Sequence, residues 1–108
     1  MASLVIRQFE VFPNPSSRSR KVIPFVVALQ SHFLEALDTV IVAPLMRYPS
    51  DAKANEVMVE IELSDERLML DLSSLANIER TLLKTARGDL LRHEYDIRRA
   101  LERLFTGF

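Results

Sequence analysis

Val57-Met58-Val59-Glu60-Ile61-Glu62-Leu63-Ser64-Asp65-Glu66-Arg67-Leu68-Met69-Leu70-Asp71-Leu72 alternates apolar and polar side chains on both sides of a short polar break. Alternation with a period of two places Val57, Val59, Ile61 and Leu63 on one face of a strand and Met58, Glu60 and Glu62 on the other, so one face is wet. Leu68, Leu70 and Leu72 repeat the pattern on the returning strand, and Ser64-Asp65-Glu66 supplies the turn. The stretch predicts an antiparallel hairpin, and with it a fold built on a sheet.

Upstream, three more segments read as strands. Gln8-Phe9-Glu10-Val11-Phe12 alternates with aromatic and branched members, as a half-buried strand does. Pro13-Asn14-Pro15-Ser16-Ser17 ends it, because proline removes donors and Asn and Ser favour turns. Arg18, Arg20 and Lys21 follow as the densest cationic cluster, either a solvated loop or a binding patch. Val22-Ile23-Pro24-Phe25-Val26-Val27-Ala28-Leu29 and Val40-Ile41-Val42-Ala43-Pro44-Leu45 are apolar on both alternating faces. Such runs suit strands buried on two sides or lying at an oligomer interface, with Pro24 at an edge or bulge.

Downstream, residues 77–86 are open between a helix and a short strand with a turn: Ile78, Leu82 and Leu83 fit helical spacing, and Gly88 breaks the run. Asp89 can cap a terminal helix whose apolar positions Leu90, Ile97, Leu101, Leu104 and Phe105 recur at helical spacing. Arg92, Glu94, Arg98, Arg99, Glu102 and Arg103 make its polar face, with Glu94 and Arg98 at a favourable i,i+4 spacing. Strands followed by one helix predict an α+β domain with a mostly antiparallel sheet. Leu104 and Phe105 are expected to pack back on the sheet. Phe108, beyond the helix-ending Gly107, is either tucked in or displayed to a partner.

A chain of 108 residues with 48% hydrophobic residues accommodates one domain and one core. The whole chain, 1–108, is read as that domain, with 1–6 set aside as an extension. Fourteen Lys and Arg balance fifteen Asp and Glu, so the broad cationic field used for nonspecific nucleic-acid binding is lacking. Zero cysteines exclude disulfides, thiolate metal sites and a cysteine nucleophile, which leaves the cytoplasm as the expected compartment. The longest nearly uncharged run, residues 22–33, is too short to span a membrane, and residues 1–6 lack signal-peptide anatomy.

No catalytic constellation emerges. His32 and His93 lie on different elements without metal-ligand spacing, Asp65 and Glu66 sit in an exposed turn, and Ser16, Ser17, Ser73 and Ser74 lack a nucleophile elbow. Two glycines cannot form a phosphate-binding loop. The reading is of a protein with no catalytic residue, no metal and no cofactor.

Three segments in order resemble the CcdB family of toxins from toxin–antitoxin systems. They are Gln8-Phe9-Glu10-Val11-Phe12, then Leu29-Gln30-Ser31-His32-Phe33-Leu34 leading into residues 40–45, and Asp96-Ile97-Arg98-Arg99-Ala100-Leu101 with Leu104-Phe105-Thr106-Gly107-Phe108. The resemblance covers nearly everything after Arg7 and rests on order and spacing rather than on one motif. It implies an SH3-like small barrel with a C-terminal helix, shared with the MazF ribonuclease toxins. It also implies a homodimer that is not an enzyme, that binds the A subunit of DNA gyrase and traps the cleaved-DNA complex, and that a cognate antitoxin neutralises by folding over it. No direct, specific nucleic-acid contact is implied.

Carried over by position, the gyrase-binding residues are Thr106, Gly107 and Phe108, supported by Phe105 and Glu102. Gln8, Phe9, Ser31, Phe33 and Leu34 fall at the dimer and partner surface, and the loop with Pro13, Asn14, Arg18 and Arg20 faces the antitoxin. One position departs. The best-known members end in Trp-Gly-Ile where this chain has Thr106-Gly107-Phe108, so a ring able to stack on a gyrase arginine is missing at 106. On the same fold a MazF-like endoribonuclease is the alternative, but it needs an acid–base pair beside a cationic groove, and only Arg18, Arg20 and Lys21 offer charge for one. A relative that keeps the antitoxin site and has lost gyrase poisoning is a further alternative.

Overall fold

Thr39–Arg47 (β3) is the longest strand and organises the molecule. In the computed structural model, which describes residues 5–31, 37–48 and 55–107, it pairs along one edge with Phe25–Ala28 (β2). Along its other edge it pairs with two strands in succession, Glu66–Asp71 (β5) at Leu45 to Arg47 and Ala76–Glu79 (β6) at Thr39 to Val42. Val11–Pro13 (β1) joins β2, and Met58–Leu63 (β4) joins β5. The order is β1-β2-β3-β5-β4 with β6 branching from β3, and every pairing is antiparallel. A 3₁₀ turn at Leu91–His93 leads into the helix Glu94–Thr106 (α1). Among the described residues six strands and a C-terminal helix make the α+β fold that the residue pattern predicts, in the small barrel-like form that the CcdB resemblance implies.

The hairpin forms where the alternation puts it. Leu63 faces Glu66, so the turn is the two residues Ser64 and Asp65, both at positive φ (50° and 65°). That conformation matches the right-handed twist of the flanking strands. Glu66 is therefore the first residue of β5 and not part of the turn, and it pairs with Arg47, while Arg67 pairs with Glu60 across the ladder. Val59 and Ile61 are buried and Glu60 and Glu62 are exposed, as the one wet face requires. β5 is buried on both faces, including Met69 and Asp71. The Asp71 carboxylate is satisfied locally by the Ser73 N–H at 3.0 Å and by the Ser73 and Ser74 hydroxyls at 2.5 and 2.9 Å.

The doubly apolar strands serve this chain's own interior. Val27, Leu29, Ala43 and Leu45 pack with Phe9, Val11, Ile61, Leu68, Leu70, Ile97 and Ala100 on one side of the sheet. Val26, Ala28, Val40 and Val42 pack with Ile6, Phe12 and Leu83 on the other. Burial within one chain thus accounts for the runs at 22–29 and 40–45, apart from Val22, which is exposed in a turn, and Ile41, which is 41% exposed.

One open reading is resolved and three expectations are corrected, the first being that the strand read over residues 8–12 runs over Val11–Pro13, with Gln8 and Phe9 in a turn and Pro13 paired to Phe25. Residues 77–86 take the strand alternative, with β6 followed by a 3₁₀ turn at Arg80–Leu82, because pairing with Thr39 to Val42 outweighs the short helical pattern. Asp89 does not cap α1: its carboxylate accepts the Leu91 N–H at 3.0 Å and opens the 3₁₀ turn, and the helix begins at Glu94. Phe105, 70% exposed, does not pack back on the sheet and Leu104 is left 36% exposed, since α1 buries Ile97 and Ala100 before its last turn.

Candidate functional site: the helix end and the loop face

The last turn of α1 is an apolar projection. Phe105 is 70% exposed and Leu104 36%, with Glu102 exposed beside them. Arg98, Leu101, Glu102, Phe105 and Thr106 line a shallow cleft of about 320 Å³. The Thr106 hydroxyl donates to the Glu102 carbonyl at 2.5 Å, which closes the last turn and turns that group away from solvent partners. Gly107 adopts the left-handed conformation (φ 79°), and its N–H donates to the Arg103 carbonyl at 3.0 Å. Only a residue without a side chain does this at little cost. The Arg103 guanidinium also meets the Glu56 carboxylate at 3.0 Å and fastens the helix end to the approach of β4. Along the same helix the Arg99 Nη1 donates to the Tyr95 hydroxyl at 3.2 Å, and this bond, then the charge interaction with Tyr95 and after it those with Glu102 and Asp96, hold the guanidinium above its ordinary pKa.

At the opposite end of the chain Phe9 occupies a conformation that bulky residues avoid. Its φ is 73°, its N–H donates to the Ala28 carbonyl at 2.6 Å, and the Ala28 N–H donates to the Glu10 carbonyl at 2.9 Å. Phe9 and Glu10 together oppose Ala28, a bulge of the kind that usually carries glycine at its first position. The bulge drives the Phe9 ring into the core, 1% exposed, with the Arg98 guanidinium 5.6 Å above it. Gln8 binds the Leu29 carbonyl through its Nε2 (2.9 Å) and receives Arg98 at 3.4 Å, while Arg98 also pairs with Glu94 at 2.7 Å. The N-terminal segment and the helix are thereby locked to each other.

The loop after β1 is tied shut from inside. Asn14 is buried; its Nδ2 donates to the Ser19 hydroxyl and the Ile23 carbonyl, both at 2.9 Å, and its Oδ1 accepts the Ser16 N–H at 3.0 Å. The Arg20 Nε donates to the Asn14 carbonyl at 2.9 Å. Arg18 and Lys21 are exposed.

Comparison with known proteins gives the family of the chain. The family model described as CcdB protein matches residues 8–107. This chain belongs to the CcdB family. A search of curated proteins returned no match. CcdB membership supports the reading of the chain as the toxin of a toxin–antitoxin system.

Set against the residues carried over from the CcdB resemblance, the structure sorts them by what their side chains can offer. Phe105, Glu102, Thr106 and Gly107 converge at the helix end; Phe108 lies outside the described residues. Gln8 and Ser31 are half-buried, Phe9 has almost no surface, and His32, Phe33 and Leu34 lie outside the described residues. Pro13 is the half-buried last residue of β1 and Asn14 is buried at the start of the loop, so of these four Arg18 and Arg20 are what the loop displays. His93 sits at the entry to α1 with its Nε2 buried and without a hydrogen-bond partner, and among the described residues no group of three or more His, Asp or Glu could hold a metal ion. No helix among the described residues is long and apolar enough to cross a membrane. Leu101 and Arg98, which floor and flank the helix-end cleft, escaped the sequence reading. Leu101 packs against the core as its spacing predicts and Arg98 lies on the polar face, and only the place where the core ends shows that both also line the cleft.

Proposed function

We propose that this CcdB-family chain is a toxin that binds the A subunit of DNA gyrase through the end of α1, as a homodimer in the cytoplasm, traps the cleaved-DNA complex and is neutralised by a cognate antitoxin. It acts by binding rather than by catalysis. The observation that carries the reading is the exposed Phe105 ring, which leaves the core on a rigid helix and is held out by a Gly107 cap. An apolar ring left in water at the tip of a domain is the anatomy of a contact residue. Induced expression in a susceptible bacterium is expected to arrest growth and accumulate gyrase on cleaved DNA. Deleting residues 105–108 is expected to abolish both, and a truncated chain that still traps gyrase refutes the helix end as the contact.

Thr106 sets the strength. Its hydroxyl is bound to the Glu102 carbonyl and it has no ring, so the stacking worth roughly 0.5–2 kcal/mol per site is absent. Thr106→Trp is expected to strengthen gyrase trapping by about twofold to thirtyfold per site, measured as the toxin concentration that gives half-maximal cleavage complex. An unchanged or weaker response places the contact on Phe105 alone.

A further inference from the structure

β4 ends the strand path β1-β2-β3-β5-β4, so one of its edges has no strand beside it among the described residues. The Leu72 N–H donates to the Val57 carbonyl at 2.9 Å, and Leu63 faces Glu66 across the two-residue turn. Bonded and unbonded pairs alternate along an antiparallel ladder, so Val57, Val59, Ile61 and Leu63 direct their main-chain groups to β5. Glu60 and Glu62 therefore aim N–H and C=O away from the sheet, and among the described residues no main-chain group receives them. Met58 adds only its carbonyl, because its N–H donates to the Asn55 carbonyl at 3.1 Å.

Between this edge and α1 lies a cleft of about 360 Å³. Val59 and Ala100, both buried, supply its apolar lining, and Tyr95, 69% exposed, stands beside them. The arginines around the edge are already engaged: Arg67 pairs with Glu60, Arg103 with Glu56, and Arg99 donates to the Tyr95 hydroxyl. Glu62 is exposed and makes no salt bridge among the described residues. The open charge on the edge strand itself is therefore negative.

We propose that the β4 edge and this cleft form a strand-addition site for an extended basic segment of another protein. Incoming residues that bond to Glu60 and Glu62 stand on the same wet face as those side chains, so a lysine or arginine there meets the Glu62 carboxylate. The alternate residue, opposite Val59, points to the core face and places one apolar side chain in the cleft against Ala100 and Tyr95. Main-chain pairing gives such a site affinity, and the cleft and charge give it specificity. A second copy of this chain fits poorly, because centring β4 on β4 at Glu60, Ile61 or Glu62 sets glutamate against glutamate. The site uses a different face of α1 from the helix-end cleft and no residue of the loop after β1, so it does not rest on the toxin reading.

The test uses a fluorescein-labelled peptide of about six residues that alternates lysine with leucine and valine, with a glutamate-for-lysine twin as control. The full-length protein is expected to bind the lysine peptide and not the glutamate twin. Two N-methylated forms of the lysine peptide read the edge without touching the protein's fold. Methylation at the lysine amides, which face β4, is expected to weaken binding by at least about tenfold, and methylation at the leucine and valine amides is expected to leave it unchanged. Glu62→Pro keeps the bonds to β5 while removing an outward donor and the open carboxylate, and prolines are tolerated on such edges. It is expected to weaken binding by at least about tenfold with an unchanged far-ultraviolet signal. Tyr95→Ala, at an exposed position of α1, is expected to weaken binding through the cleft. Equal binding of the lysine and glutamate peptides, equal binding of the two methylated forms, or wild-type affinity in both variants overturns the site.

Discussion

Phe9 is where the backbone and the side chain pull in different directions. Its left-handed backbone costs on the order of 1–2 kcal/mol, and the buried ring returns more than that. The two contributions separate by substitution. Phe9→Ala loses the ring and keeps the strain, a cost of about 3–5 kcal/mol, whereas Phe9→Gly loses the same ring but relieves the backbone. Glycine is therefore expected to destabilise less than alanine by about 1 kcal/mol in urea unfolding, the reverse of the order found in ordinary strands. If alanine proves the more stable variant, the bulge does not carry the strain assigned to it.

Among the elements, the β4–β5 hairpin has a turn whose geometry is better than its residues. Ser64 and Asp65 both hold positive φ, a pairing that Asn-Gly satisfies most easily. Replacing them as Ser64→Asn with Asp65→Gly is expected to stabilise the protein by about 1 kcal/mol and raise the thermal midpoint by a few degrees. The same hairpin shows what the sequence can say: a strict two-residue period with one charged face leaves only one register, so strands and turn were legible to within a residue or two. The helix was legible too, but not where its core contact ends. Spacing alone gives Ile97 and Phe105 the same face, and only the length of the sheet beneath decides that the first is buried and the second exposed. For residues 77–86 the deciding partner was β3, more than thirty residues away, and local pattern could not weigh it. The loop misled in a similar way. Asn14 resembled a surface contact because its type is common in turns, yet its side chain faces inward and holds the turn together.

For the whole molecule, β2 and β3 are covered on both faces by one chain, so the homodimer proposed above must form through what remains outside. Among the described residues Ile41 and Leu37, 41% and 51% exposed, are large apolar side chains on β3 and just before it. Sedimentation is expected to give twice the 12.4 kDa chain mass, and Ile41→Glu is expected to shift that toward one copy without lowering the far-ultraviolet signal of the fold. A persistent dimer in that variant moves the interface off β3. The Asn14-tied loop bears on how any partner arrives. Its arginines are already mounted on a closed ring of hydrogen bonds, so the entropy of ordering falls on the incoming chain. Association with a flexible peptide is then a zippering of that peptide onto a fixed template. Lengthening the peptide should change how slowly it leaves far more than how fast it lands.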